Sequence, residues 1–211
     1  KMALISAGTT IFDAGSVSAG GAMTFIKKIT ASSSGTVSFV HGSSSVVFDG
    51  TYKQYLFTFN NLHPSTNASD LLFQFSINGG SGYGVAMTST YTQSQHYENG
   101  GNAALNYRGG TVSALGNSTG FQSLSTADGV GNDNDQCISG TLTVFNPAST
   151  TFVKHWMADC THYSNDNGSL RSLVSGYVNT TSAVNAIQFK FLSGDNSSNI
   201  DSGDICLYGI A

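Results

Sequence analysis

Apolar side chains occupy every second position along several short stretches of this chain. In residues 71–77 (LLFQFSI), Leu71, Phe73, Phe75 and Ile77 alternate with other, mostly polar residues. Because successive side chains of a β-strand point to opposite sides of the sheet, a period of two predicts strands with one buried and one wet face. The same alternation marks residues 36–39, 55–59, 138–144, 187–191 and 205–207.

Turn-forming residues separate these stretches. Residues 63–67, 78–82, 146–149 and 194–202 are rich in Pro, Gly, Asn or Ser, which favour turns. Many short strands joined in this way predict an all-β fold with little helix, specifically an antiparallel β-sandwich that is jelly-roll-like. The predicted inward rows include Phe57, Phe59, Phe73, Phe75, Leu142, Phe189 and Leu207.

Two segments depart from this pattern. Residues 1–35 are rich in Gly, Ala and Ser without a clear period, which suits either a flexible leader or an arm that attaches the domain to a larger assembly. The sequence therefore predicts a single sandwich domain over residues 36–211. Within it, residues 83–136 combine glycine pairs, scattered tyrosines and weak alternation, and we expect long loops with short strands there.

Charge is scarce, since only 9% of the residues are Asp, Glu, Lys or Arg, against about 25% in an ordinary globular domain. Ser, Thr, Asn and Gly make up nearly half of the chain, so the exposed surface is neutral and polar. Such a surface suits packing against copies of the chain or against sugars. The Lys and Arg residues form no basic stripe, which argues against a nucleic-acid partner, and no apolar run is long enough for membrane insertion.

Three cysteines, Cys137, Cys160 and Cys206, form neither an even set nor a C-x-x-C motif. The odd number predicts reduced, mostly buried thiols rather than a disulfide framework. The amino-terminal residues show no basic segment followed by an apolar one, as a signal peptide would. We therefore expect synthesis in a reducing cytoplasm without a signal peptide.

Patterns that carry catalysis are missing from the sequence. There is no G-x-S-x-G motif, and Glu98 is the only glutamate, so a carboxylate pair would have to come from loop aspartates. Aspartate is also a common turn residue. We therefore expect no catalytic residues, no enzymatic activity and no cofactor.

Residues 128–135 (DGVGNDND) place oxygen-bearing side chains at alternate positions, as calcium loops do. Asp128, Asp133 and Asp135 are the candidate ligands. The loop lacks the distal glutamate of an EF-hand, and a polar, glycine-rich loop would have the same composition. The prediction is therefore no metal site, with these three aspartates as weak candidates.

Five aromatic residues of the loop-rich span are candidates for contact with a sugar: Tyr83, Tyr91, His96, Tyr97 and Tyr107. Aromatic rings combine an apolar face with a polar tip and can stack on sugar rings. The alternative is that these tyrosines pack at strand edges, because Tyr favours strands in any case.

Seven motifs, in order along the chain, together resemble one group of proteins. They are residues 25–29 (FIKKI), 62–66 (LHPST), 131–137 (GNDNDQC), 142–147 (LTVFNP), 149–155 (STTFVKH), 176–183 (GYVNTTSA) and 200–210 (IDSGDICLYGI). The set resembles the virion structural proteins of marine tailed bacteriophages, including cyanophages, which are often described as tail-fibre-like. The resemblance covers residues 24–211 and departs from the pattern at Asp204 and Cys206, where Thr and a basic residue are more usual.

The resemblance implies a non-enzymatic component of the virion surface, a tail fibre or capsid appendage, made in the cytoplasm of the bacterial host. It transfers no binding residues to this chain. Together with the neutral surface, the resemblance predicts a homo-oligomer, and a trimer is favoured. The predicted partners are other virion proteins and, during host attachment, host cell-surface glycans. A free carbohydrate-binding module is the alternative, and a small hydrolase is a third, less favoured one.

Overall fold

A computed structural model of the chain describes residues 22–126, 128–194 and 196–211, together with the backbone of three short strands within residues 4–17. Strands make up 55% of the fold, and the described residues contain no helix. The strands are β1 (Leu4–Ser6), β2 (Thr9–Asp13), β3 (Ser16–Val17), β4 (Met23–Thr30), β5 (Val37–Val40), β6 (Gln54–Pro64), β7 (Asp70–Ser76), β8 (Met87–Tyr97), β9 (Ala104–Tyr107), β10 (Gln122–Ser123), β11 (Ile138–Phe145), β12 (Lys154–Tyr163), β13 (Gly168–Val178), β14 (Ala186–Ser193), β15 (Asn196–Ser198) and β16 (Ile200–Ile210).

Two antiparallel sheets form the sandwich. The larger sheet has the strand order β4-β16-β6-β11-β12-β13-β8-β9. The smaller sheet has the order β10-β7-β14, and both β5 and β15 pair with the free side of β14. The strands β1, β2 and β3 form a separate three-stranded sheet.

The strand order confirms the predicted jelly-roll-like sandwich. One half of the larger sheet reads β4-β16-β6-β11, and the smaller sheet reads β5-β14-β7-β10. Among these eight strands, those that follow one another in sequence lie in opposite sheets. The exception is β7 and β10, which are paired in the smaller sheet. This interleaving is the double Greek key of a jelly roll.

Aromatic packing between the sheets forms the core. The ring of Phe189 on β14 lies 5.4 Å from that of Phe57 and 5.3 Å from that of Phe59, both on β6 (centroid to centroid). Phe73 on β7 lies 5.0 Å from Trp156 on β12. The inward rows predicted from the alternation are confirmed, because all seven of their members are at most 1% exposed.

Two insertions widen the larger sheet beyond β11. The pair β8–β9 follows β7 in sequence, and the pair β12–β13 follows β11. In the described residues the smaller sheet ends at β10, and the segment 108–126, which includes β10, contacts the inward side of β8. The Gln93 side chain donates to the Thr126 carbonyl (2.6 Å), and the Ser89 hydroxyl donates to Gln122 Oε1 (2.5 Å).

The structure places part of the expected leader in the larger sheet. Met23–Thr30 forms β4, which pairs antiparallel with β16. Ala31 is buried, and Ile29 packs against the core. The larger sheet therefore begins at Met23 rather than after residue 35. The side chains of residues 1–21 lie outside the described part, and their role in attachment stays a prediction.

The span 83–136 is loop-rich as expected, but it also contains the eleven-residue strand β8. The described part of the chain forms no helix with the length and apolarity needed to span a membrane.

Cys137, Cys160 and Cys206 are free thiols, and the last two are buried.

Candidate binding surface

One side of the larger sheet faces away from the smaller sheet, and we call it the outer face. Along β12, Trp156 and Ala158 are buried, whereas Met157 between them is exposed. The strand register aligns Met157 with Ser175 on β13, and Ser175 with Thr90 on β8. Because directly paired residues share a face, these side chains form one outward row across the sheet.

Hydroxyl and apolar side chains dominate the outer face. Beside the row of Met157 runs a second row, in which Thr141, Asp159, Leu173, Thr92 and Tyr107 are paired in turn. Leu173 is 46% exposed and Met157 is 58% exposed. Large apolar side chains with this exposure are found on surfaces that contact other molecules.

Charged side chains on the outer face form pairs within the chain. Arg171 donates two hydrogen bonds to the Asp159 carboxylate. These bonds hold the pKa of Asp159 below its usual value. Lys28 lies 3.3 Å from Asp204, whose pKa is also lowered, chiefly by a hydrogen bond from the Thr30 hydroxyl. The face therefore carries these charges without an excess of either sign.

Three clefts open along the outer face. The first, of about 470 Å³, lies where β8 and β12 end and β11 and β13 begin, and His96, Thr161 and Ser169 line it. The second, of about 450 Å³, lies beside His155 and Tyr177. The third, of about 500 Å³, lies between the rows of Met157 and Leu173.

Polar groups of the first cleft are fixed by hydrogen bonds. The Tyr163 hydroxyl donates to Glu98 Oε1 (2.9 Å), and this bond raises the pKa of Tyr163. Burial raises the pKa of Cys137 on the same cleft, so its thiol stays protonated near neutral pH. Because the thiolate is the reactive form, Cys137 is a poor nucleophile at neutral pH.

The predicted sugar-contacting residues do not form one cluster. The Tyr91 side chain is fully buried and its hydroxyl is hydrogen-bonded to the Ser172 hydroxyl (2.6 Å), so it is not accessible from the surface. Tyr97 is 7% exposed and its hydroxyl donates to Asp128, but the residue still lines the first cleft beside His96. Both are inward residues of β8, whose alternation carries too little hydrophobic contrast to reveal which side is buried.

The other three candidates are accessible at separate places. His96 is exposed on the first cleft. Tyr107 is 65% exposed on the edge strand β9, where it pairs with Thr92. Tyr83 is half-buried after β7, with its hydroxyl near Gly80. Glu98 and Tyr163 of the first cleft were not predicted, because the strands that bring them together are distant in sequence.

The aspartates of the candidate calcium loop have separate surroundings. Asp128 accepts the hydrogen bond from Tyr97, while the Asp133 carbonyl lies 3.2 Å from His63 Nε2. Asp135 is exposed. Over the described ranges, no three His, Cys, Asp or Glu side chains come together in a group that could hold a metal ion.

No protein-family model, no curated protein and no solved structure matches this chain.

Proposed function

We propose that this chain is a non-enzymatic structural protein of a bacteriophage virion, a fibre or particle-surface component that acts through contacts of its outer face. The observation that carries the proposal is the outer face itself. It is eight strands wide and exposes apolar and hydroxyl side chains, and its ion pairs lie within the chain. Another protein can cover the Arg171–Asp159 and Lys28–Asp204 pairs without separating their charges.

Two further features support this proposal. The seven motifs listed above resemble those of marine tailed-phage virion proteins and stand in the same order. The jelly roll is also an architecture used by viral capsid and lectin domains, although a fold alone does not fix a function. The proposed location is the virion surface, after synthesis in the host cytoplasm, with assembly into a homo-oligomer, a trimer being favoured.

Labelling of particles tests the virion proposal. Gold-conjugated antibodies against this chain are applied to virions purified from a lysate that contains the protein. We expect gold on one class of particle site, such as fibre tips or the capsid surface. Recovery of the protein only in the particle-free fraction would contradict a structural role.

A free carbohydrate-binding module is the second candidate, and the first cleft favours it. An open cleft with a fixed Tyr163–Glu98 pair and the hydroxyls of Ser139, Thr161 and Ser169 offers donors and acceptors to the hydroxyls of a sugar. Titration calorimetry with bacterial surface polysaccharides tests this. Tyr163→Ala should weaken binding at least tenfold, whereas Tyr107→Ala, an exposed tyrosine outside the first cleft, should leave it unchanged.

The two candidates give different results in the same pair of experiments. A virion component labels particles whether or not it binds a polysaccharide. A free module binds polysaccharide and is absent from particles.

A further inference from the structure

Exposed apolar side chains are concentrated on the outer face. Eight large hydrophobic residues are exposed in the described part of the chain, and only Ile77 and Phe152 of these lie elsewhere. Strand register places the other six on the outer face: Met23, Phe25, Leu105, Tyr107, Met157 and Leu173.

These residues span the face from one edge to the other. Phe25 on β4 packs edge-to-face on Tyr208 of β16, with ring centroids 5.6 Å apart. At the opposite edge, Leu105 on β9 pairs with Ser94 and is 75% exposed. The apolar surface is therefore a property of the whole face and not of a single strand.

The area of the outer face is sufficient for a stable protein interface. Seven strand spacings at about 4.8 Å give a width of about 34 Å, and strands of ten or eleven residues give a similar length. The product is on the order of 1,000 Å², above the roughly 800 Å² that each partner buries in a standard interface.

Charge on the face fits a partner whose surface is as neutral as that of this chain. Arg171 is paired with Asp159 and Lys28 with Asp204, so neither pair needs a countercharge from a partner. Neighbouring hydroxyls also bond one another, as Thr90 and Ser175 do at 3.1 Å. A strongly charged partner would gain little here, whereas an equally neutral, partly apolar surface would be complementary.

We propose that the outer face is the surface on which a second copy of this chain docks, with Met157 and Leu173 at its centre. The clefts beside these two residues then receive apolar side chains of the partner copy. The inference deepens the proposed assembly role, since it names both the surface and its occupant. Burial of this apolar area would drive the association.

Light scattering on the full chain over a concentration series tests this inference. The wild type should have a mass above that of one chain. Leu173→Glu and Met157→Glu should each raise the apparent dissociation constant at least tenfold. Ile77→Glu and Phe152→Glu are matched controls, because they add the same charge at exposed apolar positions away from the outer face, and they should self-associate as the wild type does.

Folding of each variant is checked by circular dichroism. If a glutamate variant fails to fold, Leu173→Thr and Met157→Thr replace it, because Thr favours strands and still removes apolar area. A wild type that stays monomeric at all concentrations would overturn the inference. Residues 1–21 or a different partner would then be the candidates for binding the outer face. Equal association of face and control variants would overturn it as well. Particle labelling decides the virion role separately.

Discussion

The guanidinium of Arg171 binds the Asp159 carboxylate through two hydrogen bonds, 2.9 Å from Nε to Oδ1 and 2.6 Å from Nη2 to Oδ2. Both side chains are about half exposed in the single chain. If a second copy covers them, Asp159→Asn leaves Arg171 charged and unpaired in the interface, and self-association should weaken. Thermal unfolding of the monomer should hardly change, because exposed ion pairs contribute little to stability.

The double variant Asp159→Asn, Arg171→Gln is the control for this prediction. It removes both charges, so light scattering should show association close to that of the wild type. Equal association of the single variant and the wild type would place the Arg171–Asp159 pair outside any interface.

Phe189 packs against aromatic rings of three other strands. Its ring centroid lies 5.3 to 6.4 Å from those of Phe39, Phe57, Phe59 and Phe73. Phe189→Ala should therefore lower the free energy of unfolding by about 3–5 kcal/mol, measured by urea denaturation.

The matched control for this core prediction is Phe152→Ala. Phe152 is 70% exposed, and its loss should change the free energy of unfolding by less than about 0.5 kcal/mol. Similar losses for the two variants would contradict the assignment of Phe189 to the core.

Asp70 at the start of β7 has a pKa raised to about 7 by burial, from the ordinary value of 3.8. Between pH 4 and 7 the folded chain binds a proton at Asp70 that the unfolded chain does not. The free energy of unfolding therefore falls as the pH rises across this window. Asp70→Asn removes that loss and should stabilise the protein by about 2 kcal/mol at pH 8.

Denaturant unfolding of wild type and Asp70→Asn at pH 4 and at pH 8 measures this effect. The stability difference between the two proteins should be largest at pH 8 and small at pH 4. A difference that is the same at both values would mean that Asp70 titrates normally in the folded chain.

His162 on β12 should have the opposite effect on stability. It is 3% exposed, both ring nitrogens lack a hydrogen-bond partner among the described residues, and burial lowers its pKa to about 4. Between pH 6.5 and 4 the unfolded chain binds the proton, so the free energy of unfolding falls as the pH falls. His162→Leu should remove about 2–3 kcal/mol of this acid destabilisation.

Measurement of this prediction uses Asp70→Asn as the background for both proteins, so that the titration of Asp70 does not contribute to the pH dependence. The slope of unfolding free energy against pH should be lower after His162→Leu. An unchanged slope would show that another group binds the proton.

Alternation in the sequence was sufficient to predict the strands that pack against one another between the two sheets. Phe57 and Phe59 on β6, and Phe73 and Phe75 on β7, are two residues apart, and all four are buried. Their pattern is clear because apolar side chains of both sheets fill the inward side at these positions.

The inserted strands β8 and β13 did not show this pattern, because several of their inward side chains are polar. On β13, Ser172 is buried and Leu173 is exposed, the reverse of the usual distribution. On β8, the buried Gln93 finds its partner in the backbone of residue Thr126. The polar partners of these residues are distant in sequence, so no local pattern reveals the burial.

A β-bulge is the reason that the sequence pattern did not predict strand β4. The register shifts between Leu207 and Tyr208 of β16, which pair with Lys27 and Phe25, so Ile26 has no direct partner. One extra residue interrupts the period of two. The sequence did not reveal the first cleft either, because Glu98, Ser139 and Tyr163 lie far apart in the chain and share no motif.

The position of β16 has a consequence for protein synthesis. This strand pairs with both β4 and β6, which the ribosome makes long before it. Until β16 emerges, both strands present open edges, which are templates for aggregation. A chain that ends before residue 200 thus lacks the strand that joins β4 to β6. A chaperone that covers these two edges during synthesis would raise the yield of folded protein.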